Sequence, residues 1–403
     1  MNNLIKYEYT EKGLNIPEGQ FGLGYSNLMS IIGELIEYIE KYPNEDFYSK
    51  INLICIEEPE AFMHPQMQEL FIKHINDAVS FLLQDSEKKI NSQLIITTHS
   101  SHILNSKINT GNSFDNINYI TIVKNHSNVV NLSDDKVIGY SKLSDENEED
   151  FKKRKIDDLK FIKKHIKYKV SELFFSDAII FVEGITEETL LSYYIDKNDE
   201  LNKYYISIFN INGAHGLVYN SLIKLLKVPT LIITDLDIKR NDEEKKEFIQ
   251  INKLEGRKTT NKTIIKFNND KEDISNIKDH FKDENLYVSF QNKLIDGYFA
   301  TSFEEAFILS NYKNSILNAV LNKVKPKIYN DIVGTDKQKE NLKKQSYKLQ
   351  NKLSNSKSDF SNEILYELII NDGTDDLPAL PKYIQDGLKH LEEAIRTTLD
   401  GEI

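Results

Sequence analysis

The chain has 403 residues, 39% of them hydrophobic and 28% charged, and its 51 Lys+Arg against 63 Asp+Glu give a formal net charge of −12. That length suggests two domains, and the sign of the charge excludes holding DNA by bulk electrostatics, so any nucleic-acid role needs a local basic groove, bound metal or a partner. One cysteine, Cys55, excludes an internal disulfide and a cysteine-rich metal site and suits a reducing cytoplasm, while no apolar run is long enough to cross a bilayer and the opening MNNLIKYEYTEKG has no signal-peptide core.

In chain order, INLICI (51–56) and the apolar start of QLIITTHSSHIL (93–104) read as buried parallel strands. Between them Leu70, Ile72, Ile75, Val79 and Leu82 recur at near-helical spacing, which predicts strand, helix, strand. The charge-rich stretch 141–176 is expected to be a solvated linker helix. A second α/β series begins at 177 with AIIFV, YISIFNI and PTLIITDLD as strands, and 239–282, rich in Lys, Asp, Glu and Asn, is expected to be a mobile insertion. From about 305 the chain reads as helical.

The first strand ends in Glu57 and Glu58 and the second runs into His99. Paired acids after a strand suit a Mg²⁺-bound water and the polarising of an attacking one, and a histidine at the next strand end can sense a γ-phosphate. Each motif alone is as well explained by surface acids and a capping histidine. Together they resemble the Walker B and switch-histidine motifs of ABC-type ATPases, of the kind found in SMC-like and OLD-family (overcoming lysogenization defect) proteins. FGLGYSNL (21–28) then resembles the signature loop, with Gly22, Gly24 and Ser26 offering donors to a phosphate. By that resemblance Glu57 is the Walker B metal ligand and Glu58 the catalytic acid. The chain contains no Gly-Lys dipeptide, so the phosphate-cradling Walker A loop is absent from it. The expectation is the carboxyl-terminal half of an ABC/SMC-like P-loop ATPase domain over 1–140, unable to hydrolyse ATP alone and using ATP only if a Walker A loop is supplied elsewhere.

In the second series Glu183 and Glu187 stand one helical turn apart if a helix begins near Ile185, with Gly184 permitting the turn and Glu188 about 100° further round. Asp235 and Asp237 project to one side if the segment is extended. An exposed helix face and a polar turn account for either pair alone. Four carboxylates at the carboxyl edge of an open α/β sheet repel one another unless cations lie between them, and oxygen-only ligands favour Mg²⁺ or Mn²⁺. Two such ions can activate water and stabilise the leaving oxygen in phosphodiester cleavage.

FVEGITEE, NINGAHG and TDLD are similar in order and spacing to the TOPRIM domain, and an ABC-type half followed by TOPRIM resembles the OLD family, which includes the Gabija nuclease subunit. The resemblance implies a TOPRIM domain over 177–300 with the insertion at 239–282, completed by a helical region over 301–403. It implies Glu183 as metal ligand or general base, Glu187 as the second acid, and Asp235 and Asp237 as the metal-binding pair. Glu304 in ATSFEEAFI aligns with a further metal-binding acid, with Ser302 where Asp is common, and Lys357, or less well Lys313, with a lysine that neutralises charge on the phosphate. Lys239 and Arg240 offer a local contact to a DNA backbone, and His215 in NINGAHG either contacts phosphate or serves the loop.

The family implies a metal-dependent DNA endonuclease active in anti-phage defence or DNA processing, cytoplasmic, assembling as a dimer or larger homo-oligomer, with a helicase-like or ATPase partner. The alternative is a non-catalytic, partner-dependent oligomeric subunit. The four retained acids argue against it, since their repulsion has no structural benefit. A topoisomerase is disfavoured by the ABC-like half, and a zinc-bearing primase by the single cysteine.

Overall fold

The computed structural model describes residues 8–11, 14–17, 22–41, 52–85, 92–139, 142, 146–166, 171–211, 216–334 and 338–399. By contacts the chain divides into two compact units, 1–115 with 160–175, and 116–159 with 176–403. The sequence boundary near 140 thus differs from this division, in which the 116–159 stretch groups with the second unit. No described helix is long and apolar enough to cross a membrane.

In the first unit, strands β1 (Glu8–Glu11) and β2 (Leu14–Pro17) form an antiparallel hairpin, followed by helix α1 (Leu23–Lys41). Strand β3 (Asn52–Glu57), helix α2 (Pro65–Asp85) and strand β4 (Ser92–Thr97) realise the strand, helix, strand reading. The strands pair in parallel, from Asn52 opposite Ser92 to Glu57 opposite Thr97. Alternation sends Ile54 and Ile56 into a core with Leu35, Phe71, Ile75 and Val79, and turns Leu53, Cys55 and Ile95 outward. Helix α3 (Ser101–Gly111) starts at Ser100, whose side chain accepts the N–H groups of His102 and Ile103.

The second unit opens with the antiparallel hairpin β5 (Ile117–Val123) and β6 (His126–Leu132), then helix α4 (Asp134–Ile138) and the part of helix α5 (Glu148–His165) that runs to Leu159. Its main sheet follows: β7 (Ala178–Val182), α6 (Ile185–Asp196), β8 (Ile206–Asn210), α7 (Asn220–Leu226) and β9 (Thr230–Ile233). Short helices α8 (Asp242–Lys246) and α9 (Lys262–Phe267) precede β10 (Phe281–Asp283) and β11 (Leu286–Ser289). The sheet order is β10-β11-β9-β7-β8, parallel except for the edge strand β10.

Every residue of β7 is buried because both faces are covered. Ala178, Ile180 and Val182 join the large core with α6 and the carboxyl-terminal helices, while Phe181 packs on Phe209 and Tyr219 across the sheet. Those helices are α10 (Phe303–Asn311), α11 (Ser315–Val324), α12 (Pro326–Val333), α13 (Glu340–Lys344), α14 (Ser346–Leu353), α15 (Lys357–Ile370) and α16 (Lys382–Leu399).

The 239–282 segment is folded onto the sheet edge, contrary to the expected mobile insertion. Ile251, Ile264 and Ile274 are buried, and its backbone is closed on itself by Lys239 N–H to Lys258 O at 2.7 Å and tied to the turn after β9 by Thr260 N–H to Asp237 O at 3.1 Å. Composition misled because most of its charged residues lie outside, Arg240 excepted, while its few apolar and several short polar ones point in.

Candidate functional site

Three parallel strands end at the same edge, and a polar residue follows each one: Glu183 after β7, Asp235 after β9 and Gln291 after β11. Open α/β sheets place their sites at this edge. Glu187 lies in the first turn of α6, 3% exposed. Gly184 has an extended backbone, φ −128°, that any residue adopts. Its small size is what matters, because a Cβ there would lie 2.5 Å from Glu187 Oε2. The acid folds back over the glycine.

Asp235 and Asp237 do not sit on an extended strand, as alternation required. Strand β9 stops at Ile233, and Asp237 has φ +44°, a left-handed conformation that Asp tolerates better than most residues. Leu236 between them is fully buried and anchors the turn. Asp235 Oδ1 accepts from Gln291 Nε2 at 2.9 Å and from the Phe303 N–H, at the start of α10, at 2.8 Å. The same helix start is capped by Ser302, which accepts the Glu305 N–H.

Glu304, 1% exposed, accepts from Thr186 Oγ1 at 2.8 Å, and its Oε1 lies 3.0 Å from Lys357 Nζ. Helix α15 packs against α6 and begins at Lys357, which explains how a residue so distant in sequence arrives here. Lys313 instead pairs with Glu340 at 3.3 Å on an exposed surface. Arg240 is not a surface contact for DNA: it is 5% exposed, lies 3.6 Å over the Tyr347 ring, and donates to Thr301 Oγ1 at 2.6 Å. Lys239 is exposed. His215 and Gly213 fall outside the described residues, while Gly216 is buried at the start of the next turn.

The electrostatics follow from crowding acids out of water. Burial first, then Glu304, pushes Glu187 up to about 8. Burial, then Glu187 and Glu183, raises Asp235 well above the carboxylate range. Asp237 is pushed up to about 6 by burial and Glu183, against the hydrogen bond from Asn261 and the charge of Lys357. Burial alone would pull the Lys357 ammonium down, but Glu304, with Asp235 and Glu187, outweighs it and the net direction is up.

Glu187 Oε2 and Glu304 Oε2 are buried with no hydrogen-bond partner. Orphaned carboxylate oxygens of this kind are costly, and an excess of oxygen donors over cationic charge is the chemistry a hard divalent cation satisfies. Among the described residues no three His, Cys, Asp or Glu side chains stand ready around one metal position. Lys357 and neutral donors hold these carboxylates instead. The donor set fits a divalent cation; side-chain adjustment is needed to close on it.

Sequence reasoning missed the neutral partners: Thr186, Thr234, Asn261, Gln291 and Tyr383. Thr234 donates to Glu183, and Gln291 also donates to the Tyr383 hydroxyl at 3.0 Å. Gln291 had a readable signal, since LYVSF before it is another apolar strand followed by a polar residue.

In the first unit, Glu58 Oε1 lies 3.3 Å from His99 Nε2, with both side chains exposed, and the His99 N–H donates to Glu60 Oε1 at 2.7 Å. Glu57 ends β3. Gly24 and Ser26 lie within α1 and Gly22 just before it. A Cβ on Gly24 would lie 2.3 Å from Phe62 O, so this glycine lets α1 rest on the turn after Glu58, and Asn27 Nδ2 reinforces the contact by donating to Ala61 O at 3.0 Å.

Comparison with known proteins fits both halves. Residues 1–104 match the AAA ATPase domain family, and residues 174–237 match the overcoming lysogenization defect protein-like TOPRIM domain, a span containing Glu183, Glu187, Asp235 and Asp237. The TOPRIM segment of this chain is OLD-like. It is 62% identical over all 403 of its residues to "Endonuclease GajA" of Bacillus cereus (strain HuB5-5), covering 57% of that protein. It is 31% identical over 98 residues to "OLD nuclease" of Thermus scotoductus (strain ATCC 700910 / SA-01), which is 24% of this chain and 16% of that one. The chain thus spans little more than half the length of the first of these relatives. Its fold is an AAA ATPase-like segment followed by a TOPRIM domain, and an OLD-like TOPRIM domain implies dependence on a divalent metal in general.

Proposed function

We propose that this chain is a DNA endonuclease of the OLD family that cleaves phosphodiester bonds at the TOPRIM acids with Mg²⁺ or Mn²⁺, in the cytoplasm, in defence against phage. The observation that carries this reading is the gathering of Glu183, Glu187, Asp235, Asp237 and Glu304 at one sheet edge, where burial and then the neighbouring acids raise the proton affinity of Glu187, Asp235 and Asp237, with Lys357 as the ammonium among them. The 62% identity of these 403 residues to part of a protein named as an endonuclease supports the same activity.

Glu183, Asp235 and Asp237 would hold one cation, and Glu187 and Glu304 would help hold a second. Bound there, divalent ions supply Lewis-acid polarisation of the phosphate and a nucleophile at neutral pH. The chain's own residues do the rest. Gln291 and the start of α10 fix Asp235, Thr186 fixes Glu304, and Lys357 offers positive charge to the phosphate as negative charge develops. Glu187, whose proton affinity burial and Glu304 raise, would have to give up that proton to serve as a ligand.

The domain limits proposed from sequence, a homo-oligomer, and ATP acting through a Walker A loop supplied outside these residues belong to the same reading. Plasmid cleavage with Mg²⁺ or Mn²⁺, with and without ATP, tests it. Wild type should nick or cut, and Glu183→Ala and Asp235→Ala should each lose at least 100-fold while remaining folded. Cleavage surviving in both variants would place the chemistry elsewhere, and no cleavage by wild type under any of these conditions would favour a non-catalytic subunit.

A further inference from the structure

The 239–282 segment delivers one side chain into the acid cluster. Asn261, 6% exposed, is the N-cap of α9: its Oδ1 accepts the N–H groups of Thr263 at 2.9 Å and Ile264 at 3.1 Å. Those two bonds fix which end of the amide is which, because only the oxygen accepts. Nδ2 is therefore aimed the other way, at Thr234 Oγ1 (2.9 Å), Glu183 Oε1 and Oε2 (3.1 and 3.3 Å) and Asp237 Oδ2 (3.3 Å). The backbone beneath it is pinned as well, with Thr259 Oγ1 donating to Leu236 O at 2.7 Å and the Asn261 N–H donating to Thr259 Oγ1 at 2.9 Å.

Among the described side-chain hydrogen bonds, Asn261 alone reaches both Glu183 and Asp237, acids that come from the ends of different strands and repel each other. A lysine in this place would hold them together but cancel the charge that attracts a cation. An amide aligns carboxylates and leaves their charge in place.

We infer that Asn261 is a positioning residue that prearranges Glu183 and Asp237 for a divalent cation, making the 239–282 segment part of the metal site. This rests on the metal-dependent reading above. The two flanks of the cluster are then organised differently. Glu183 and Asp237 are gathered by a neutral amide, whereas Glu304 is held by the ammonium of Lys357.

The test is Mn²⁺ binding to the full chain, read by the loss of the free Mn²⁺ electron paramagnetic resonance signal, alongside melting in EDTA. Asn261→Ser keeps an effective helix cap but does not reach the acids. It should melt near wild type in EDTA yet bind Mn²⁺ about tenfold more weakly, the loss expected for one hydrogen bond to a charged group. Asn261→Asp also keeps the cap but sets a third carboxylate against Glu183 and Asp237. It should melt lower than wild type in EDTA and gain more from Mn²⁺ than wild type does. If Asn261→Ser binds within twofold of wild type, or Asn261→Asp shows only the wild-type gain, while Glu183→Ala binds poorly, Asn261 is merely a cap and the inference is overturned. If wild type and Glu183→Ala both fail to bind Mn²⁺, the metal reading itself falls and takes the inference with it.

Discussion

Glu58 and Glu187 both follow an apolar parallel strand, but the side chain of Glu58 is 61% exposed and Glu187 is 3% exposed. Glu58 has His99 at 3.3 Å, a contact between two solvated groups that contributes under about 1 kcal/mol. Glu187 lies under α10 and α15, where burial first, and then a second ionisable group, Glu304, push it up to about 8. Two stretches that look alike in sequence thus sit in different dielectric surroundings, and cover, not spacing, decides how strongly acids act on one another.

The comparison breaks most readily at Lys357. Its replacement by alanine should lower metal-dependent plasmid cleavage by about 10²- to 10³-fold, the scale of losing one transition-state charge partner, measured at saturating Mg²⁺. A loss under threefold would mean that the ammonium serves Glu304 alone.

The pH dependence of metal-free stability comes next. Because the folded state holds protons on Glu187 up to about 8 and on Asp237 up to about 6, the unfolded chain releases its protons first as pH rises. Stability from these groups is therefore complete below about pH 4 and lost as pH climbs to about 8. Melting of the second unit in EDTA should fall by several degrees between pH 5 and 8, and saturating Mg²⁺ should flatten the slope. A metal-free melting temperature that rises over that range would contradict the buried-acid picture.

Gly184→Ala should cost about 1–3 kcal/mol, since Glu187 must give way to the new Cβ, and chemical denaturation would show it. At the small end, Glu58→Gln should shift stability by less than about 0.5 kcal/mol, as for an exposed side chain. A larger shift there would show that the exposed pair is more than a surface contact.

The strands and the acids after them were legible because burial on both faces writes an uninterrupted apolar run and a sheet edge writes its end. The neutral side chains that hold those acids were not. Thr186 meets Glu304, and Asn261 meets Glu183, across long stretches of chain, with no local periodicity to announce the pairing. Asn261 was further hidden in a segment whose hydrophilic composition suggested motion. The D-x-D reading reached the right neighbourhood by the wrong geometry, since a left-handed turn at Asp237 replaces the extended strand. The basic pair after it split, with Arg240 buried on Tyr347 and Lys239 exposed, because sequence carries charge but not the aromatic ring waiting beneath.

The chain from Asp235 through Gln291 to the Tyr383 hydroxyl gives the last helix a use as an internal reporter. Tyr383 has its proton held tightly by burial and by the charges of Asp235 and Glu187, and it touches neither acid directly through the bonds described. A fluorinated tyrosine at this position would therefore sense ion arrival through its resonance, signalling from the far end of the chain without altering any of the carboxylates that bind.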